Sequence, residues 1–184
     1  MTEYVYHVVT ERPMTLGQRM VFDQNNHNSV YNRVMTFKRI AEGEVIDDEI
    51  GRLIKSDWEK WSKVAYRELA LEKVRREKYP DYPSRMACLY TSRTLEEAKK
   101  WADFFRDIGR NVYSIVKLKV EGRTFDGDAR NCFDGTEVEA DNIEKSVRYW
   151  EKDVVNEGPI IETLVDGNIL VEEIVIDFKS ESSS

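Results

Sequence analysis

Arg85–Trp101, RMACLYTSRTLEEAKKW, is the stretch around which the chain is organised. Met86-Ala87-Cys88-Leu89-Tyr90 is a short apolar run of the length of a buried strand, and Thr91-Ser92-Arg93 breaks it. Thr94-Leu95-Glu96-Glu97 is a capping box: the Thr94 hydroxyl satisfies a free amide of the first helical turn and Glu97 reaches back to the Thr94 amide. Leu95, Ala98, Trp101, Ala102 and Phe105 then recur at helical spacing, which predicts one apolar stripe facing inward. A strand feeding directly into a capped helix puts Tyr90 at the strand's end and Trp101 two turns along the helix. Two aromatics so placed are able to wall a flat slot, and both also suit a core.

Outward from this stretch, strands and helices alternate irregularly. Towards the N-terminus, Glu3–Thr10 is rich in Tyr and Val and predicts a strand with His7 near its middle. Thr15–Asn28 reads as a polar loop, followed by a helix from Ser29 whose apolar residues run from Val30 to Ala41. A short helix or turn is expected at Asp47–Ile54. The longest helix covers Asp57–Tyr79 and stops at Pro80, with Trp58, Trp61, Val64, Ala65, Leu69 and Val74 on its inner side. Its basic residues Lys73, Arg75, Arg76 and Lys78 read as a solvated face.

Towards the C-terminus, Asn111–Val120 alternates as a half-buried strand and Arg123–Asp128 is turn-rich, with room for a short strand. Asp126-Gly127-Asp128 lacks the run of oxygen ligands and the closing Glu of a calcium loop, and reads as turn chemistry. A short helix at Asn142–Trp150 precedes the breaker Glu157-Gly158-Pro159. Two strands follow, Ile160–Val165 and Asn168–Phe178, and Asp166-Gly167 between them reads as a hairpin turn. These elements predict one α+β domain over residues 1–179, a mixed or antiparallel split β-sheet core with flanking helices, and a disordered tail at 180–184.

The chain has 184 residues, enough for one well-filled domain, and its 41% apolar and 34% charged residues are those of a globular protein. A net charge of −7 argues against a general grip on nucleic-acid backbones while leaving a local basic patch open. Cys88 and Cys132 are too few for a disulfide framework. With no signal-peptide pattern in MTEYVYHVVTERP and no stretch of membrane-spanning length, the expected location is cytoplasmic.

The chain has no Gly-rich phosphate loop, no dinucleotide fingerprint and no His/Cys cluster at metal-ligand spacing, so no metal is expected. Three residues in strands are odd for pure core: His7, Tyr90 and Glu162. A Glu between Ile161 and Thr163-Leu164 needs a partner, or a raised pKa, if it faces inward. Their order, His in a first strand, Tyr in a middle strand and Glu in a late one, resembles the His-Tyr-Glu pattern of the ADP-ribosyltransferase superfamily. Tyr6-His7-Val8 is similar to the aromatic-His segment of that family's first strand, with Val8 where the polymerase branch often has Gly. Leu89-Tyr90-Thr91-Ser92 is similar to the strand carrying the family Tyr, and Trp101 stands where a second ring stacks, with Ala98 in place of a frequent Ser. Ile161–Gly167, IETLVDG, resembles the strand of the catalytic Glu. The segment from Gly17 to Pro83 lies outside these motifs.

The resemblance implies an enzyme, in an uncharacterised bacterial or phage branch, that moves ADP-ribose from NAD, its substrate, to a protein, RNA or DNA acceptor. A toxin or phage-defence effector with a cognate antitoxin or inhibitor is the setting it implies. By the same resemblance Glu162 stabilises the cationic sugar and holds a ribose hydroxyl, and Tyr90 and Trp101 sandwich nicotinamide. His7 then binds the adenosine-side ribose and the Val8 backbone pairs with the nicotinamide amide. Such residue types suit a reaction through an oxocarbenium-like transition state. Ile160 stands where arginine-modifying members carry a second acidic or amide residue, and a chain with two His residues supports the RNA 2′-phosphotransferase branch poorly. From a different class comes a non-catalytic nucleotide- or protein-binding module on the same fold.

Overall fold

The structure, a computed structural model, describes residues 2–152 and 156–178. The tail expected at 180–184 lies outside the described residues. The chain runs β1 (Thr2–Val9), β2 (Arg19–Phe22), α1 (Ser29–Ala41), α2 (Glu49–Ser56), α3 (Trp58–Lys78), β3 (Leu89–Thr91) and α4 (Leu95–Asp107). It continues through β4 (Ser114–Glu121), β5 (Thr124–Asp128), α5 (Glu139–Glu151), β6 (Ile161–Val165) and β7 (Gly167–Asp177). Among the described residues these form one α+β domain with two sheets, ordered β1-β4-β7-β2 and β3-β6-β5, and every strand pair is antiparallel.

The sheets meet in a shared core and along their edges. Val165 of β6 joins Val5, Val9, Val116, Leu118, Val120, Ile169 and Val171 in the core beneath the four-stranded sheet. The edges of β1 and β3 are stitched by a reciprocal pair, Tyr6 N to Ser92 O and Ser92 N to Tyr6 O, both 2.8 Å. α4 is held by the capping box at Thr94 and lays Ala98 and Ala102 on Val8 and Ile115. α3 and α5 cover the small sheet through Leu71, Val74, Phe125, Tyr149, Trp150 and Leu164. Each such side chain contributes about 1.5–3 kcal/mol by leaving water. α1 and α2 pack on the other side of α3 around Val34, Phe37, Ile54, Ala65 and Met86.

Four expectations are corrected. Asp166-Gly167 is not a hairpin turn: β6 pairs in the small sheet and β7 in the large one, so the chain changes sheets there. Buried Asp166 receives the Arg123 amide at 2.8 Å and its guanidinium at 2.6 and 2.9 Å, and Gly167 sits at φ +82°. A Cβ on Gly167 would lie 2.4 Å from Glu121 O, so the corner demands glycine twice over. Arg19–Phe22, expected as loop, is an edge strand on β7. The apolar run from Met86 becomes strand only at Leu89, because Asn28, the N-cap of α1, holds the Arg85 and Cys88 carbonyls from its Nδ2 at 2.8 and 3.0 Å. Arg75 is not on a solvated face: it is buried against Glu72 and donates to the Pro80 and Tyr82 carbonyls. No described helix is long and apolar enough to cross a membrane.

Candidate functional site

His7 lies on β1 opposite Val116, and its Nδ1 is 2.8 Å from the carbonyl oxygen of Tyr90. A carbonyl only accepts, so Nδ1 carries the hydrogen and Nε2 is left as the acceptor. Burial lowers the imidazole pKa below its ordinary 6.5, against the opposing pull of the Tyr90 carbonyl, which keeps the ring neutral at pH 7. No described residue bonds Nε2. Since no buried side-chain nitrogen or oxygen among the described residues lacks a partner, Nε2 meets solvent.

The backbone of the next residue has no partner among the described residues either. Tyr6 turns its N–H and C=O to Ser92, whereas the Val9 carbonyl turns the other way, to the amide of Tyr113. Alternate residues of a strand aim their backbone groups to the same edge, so Val8 aims its N–H and C=O away from β4, on the Tyr6 edge. No described residue bonds them. The Val8 side chain is packed under α4.

Tyr90 stands on β3 opposite Leu164, and its hydroxyl donates to the Arg85 carbonyl at 2.8 Å. That carbonyl also accepts from Asn28 and, at 3.6 Å, from the Cys88 thiol, so the backbone at Arg85 is fixed from three sides. The Arg85 side chain then enters the interior between two rings, 5.3 Å from the centre of Tyr90 and 5.0 Å from that of Tyr149. One face of Tyr90 is therefore occupied by a guanidinium.

Arg85 spends all five N–H donors there. Nε and Nη2 reach Glu68 of α3, at 3.0 Å for the Nε to Oε2 bond, and Nη2 also reaches Cys132 Sγ at 3.6 Å. Nη1 donates to the Tyr149 hydroxyl at 2.7 Å and to Glu162 Oε1. Tyr149 in turn donates its hydroxyl to the same Oε1 at 2.7 Å. Arg67 pairs with Glu68 at 3.1 Å, so two guanidinium groups balance two carboxylates. Burial alone would discharge the Arg85 guanidinium, and the carboxylates of Glu162 and Glu68 override it, raising its pKa well above the ordinary value. Burial likewise pushes the Glu68 carboxyl up, but Arg85 and Arg67 bring it below the usual carboxylate value.

Glu162 is 9% exposed, in the middle of β6 opposite Gly127 of β5. Both bonds fall on Oε1. No described residue bonds Oε2, and by the same reasoning as for His7 this oxygen reaches solvent. Gly127 makes the arrangement possible, because a Cβ there would lie 2.9 Å from the Tyr149 hydroxyl oxygen. The inward-facing Glu thus has its partner, which is Arg85.

His7, Tyr90 and Glu162 are in this way linked by one chain of contacts at the junction of the two sheets, through the Tyr90 carbonyl, the Tyr90 hydroxyl and Arg85. Trp101 joins it differently. Its indole N–H donates to the Ile161 carbonyl at 3.3 Å, anchoring β6 beside Glu162, while its ring packs on Phe104 and Phe105. Arg85, Glu68 and Tyr149 were not singled out from sequence. The available signal was phase: Glu68 lies three residues from both Ala65 and Leu71, on the buried stripe of α3, where a charge requires a buried partner. Two surface concavities lie away from these residues, on and beside the large sheet. One, about 360 Å³, is bounded by Arg19, Lys119 and Leu170, and the other, about 440 Å³, by Asp23, Arg123 and Asp166.

No curated protein matches the chain. A family model does, over residues 5–177, from the first strand through the last and across every residue of the site. The chain belongs to the family described as Protein of unknown function (DUF2441).

Proposed function

We propose that the protein transfers ADP-ribose from NAD to a macromolecular acceptor, with Glu162 as the catalytic carboxylate. The observation that carries this reading is a set of groups on one linked site that no described residue bonds: the backbone N–H and C=O of Val8, Nε2 of neutral His7 and Oε2 of Glu162. A carboxamide needs one donor and one acceptor side by side, which the Val8 backbone offers to nicotinamide. A ribose hydroxyl needs an acceptor, and His7 and Glu162 each offer one. As the bond from nicotinamide to ribose breaks, the leaving nicotinamide takes the bonding electrons and Glu162 favours the cationic sugar from its Oε2 side; the acceptor's nucleophile then bonds the same sugar carbon and releases its proton to solvent. Tyr90 has one ring face covered by Arg85, so the nicotinamide stacks on the other.

A second reading has its own support. Arg85 neutralises Glu162, and the four-residue ion cluster is balanced without any ligand, as in a module that binds a nucleotide or protein without turning it over. One experiment separates the two. The protein is incubated with labelled NAD and lysate, nicotinamide release is measured, and labelled product is treated separately with nuclease and protease. Release with transferred label supports the transferase. A thermal shift with NAD or ADP-ribose and no release supports the binding module, and neither response removes both.

A further inference from the structure

We infer that Tyr149, with Arg85, is a positioning residue for Glu162: the two pin Oε1 so that Oε2 is the oxygen turned to the ribose. This rests on the transfer reading above. An unrestrained carboxylate rotates about its last bond and presents either oxygen. Here rotation is blocked, because Oε1 takes one bond from Arg85 and another, 2.7 Å long, from Tyr149. The Tyr149 hydroxyl is itself polarised, since it accepts from Arg85 Nη1 at 2.7 Å while donating to Glu162.

Each of these groups is in turn immobile. Tyr149 is fully buried, set edge-on to Trp150 with ring centres 5.0 Å apart and tilted against Phe125. Arg85 is held from behind by Glu68, which is 1% exposed. Gly127, across from Glu162 in the ladder, leaves the space that the hydroxyl fills. Three elements outside the His-Tyr-Glu strands, α3, α5 and β5, therefore converge on the orientation of one carboxylate.

The test is nicotinamide release by Tyr149→Phe, Glu162→Gln and the double variant, with melting temperatures on each. Tyr149→Phe keeps the ring and loses the hydroxyl. Its kcat is expected to fall about a hundredfold, the scale of a misplaced reacting group, with KM for NAD within about twofold of wild type. Because Tyr149 acts through Glu162, the double variant should be no slower than Glu162→Gln alone. Gly127→Ala retains every functional group but crowds the hydroxyl, and should reproduce the kcat loss. Wild-type kcat in a folded Tyr149→Phe protein, or losses that multiply in the double variant, would overturn the positioning role while leaving the transferase intact. Wild-type protein that releases no nicotinamide would overturn the transferase, and the positioning role with it.

Discussion

Arg85 and Glu162, 77 positions apart in sequence, meet as an ion pair with 7% and 12% of their side chains exposed. The pair is not symmetric. Arg85 has a second carboxylate in Glu68, whereas Arg85 is the one cation paired with Glu162 among the described residues. Arg85→Ala therefore strands buried charge and should cost about 3–5 kcal/mol, measured by urea unfolding. Glu162→Gln leaves Arg85 paired with Glu68 and still offers an oxygen to Tyr149, so it should cost under about 2 kcal/mol. Equal losses would mean that Glu68 does not share the charge.

His7 gives the stability curve a slope near neutral pH. Its folded pKa is depressed, first by burial, so the unfolded chain takes up a proton near 6.5 that the native ring resists. The unfolded state then binds more protons, and stability falls as pH drops below 6.5 towards the folded value. Glu68 adds a second loss at lower pH: its folded pKa also lies below the ordinary 4.5, so its contribution is present above that value and disappears as acid protonates the native carboxyl. Melting temperature against pH should show both losses in wild type. His7→Gln should remove the one nearer neutrality and keep the acid one.

The corner between the sheets departs from its local sequence signal for a definite reason. Asp-Gly between two apolar runs is a strong short-range hairpin signal, and nothing local tells a hairpin from a change of sheet. The difference is made by Arg123 and Glu121, more than forty positions away, against which Asp166 and Gly167 are fitted. Local features were legible: the Thr94 capping box, the strand around His7 and the stop before Pro80 all depend on near neighbours. The short edge strand β2 carries only four residues of alternating exposure, too little pattern to rise above a polar loop. Arg85, inside the most informative stretch of the chain, gave no sign of its role because its partners come from α3, α5 and β6.

Gly167→Ala checks the corner. With φ at +82° and a Cβ 2.4 Å from a backbone oxygen, the substitution should cost about 1–3 kcal/mol or more. Circular dichroism melts would show it. Gly17, also at positive φ but with open space around its Cβ position, should be the milder site.

Tyr90 separates ring from hydroxyl. Tyr90→Phe loses the bond to the Arg85 carbonyl and should cost about 1 kcal/mol of stability while leaving NAD affinity unchanged. Tyr90→Ala should weaken NAD binding by about 1–3 kcal/mol, the scale of one stacked ring. Titration calorimetry with NAD on both variants reads the difference. Equal affinity in a folded Tyr90→Ala protein would move the nicotinamide slot elsewhere.

Glu162→Gln tests the catalytic role most directly. Its charge acts on the cationic sugar and so on the transition state more than on bound NAD. Nicotinamide release should fall by about two orders of magnitude or more, with NAD affinity and folding nearly intact. Release and melting temperature are to be measured on the same preparation. Undiminished release from a folded Glu162→Gln protein would contradict the assignment of Glu162 as the catalytic carboxylate.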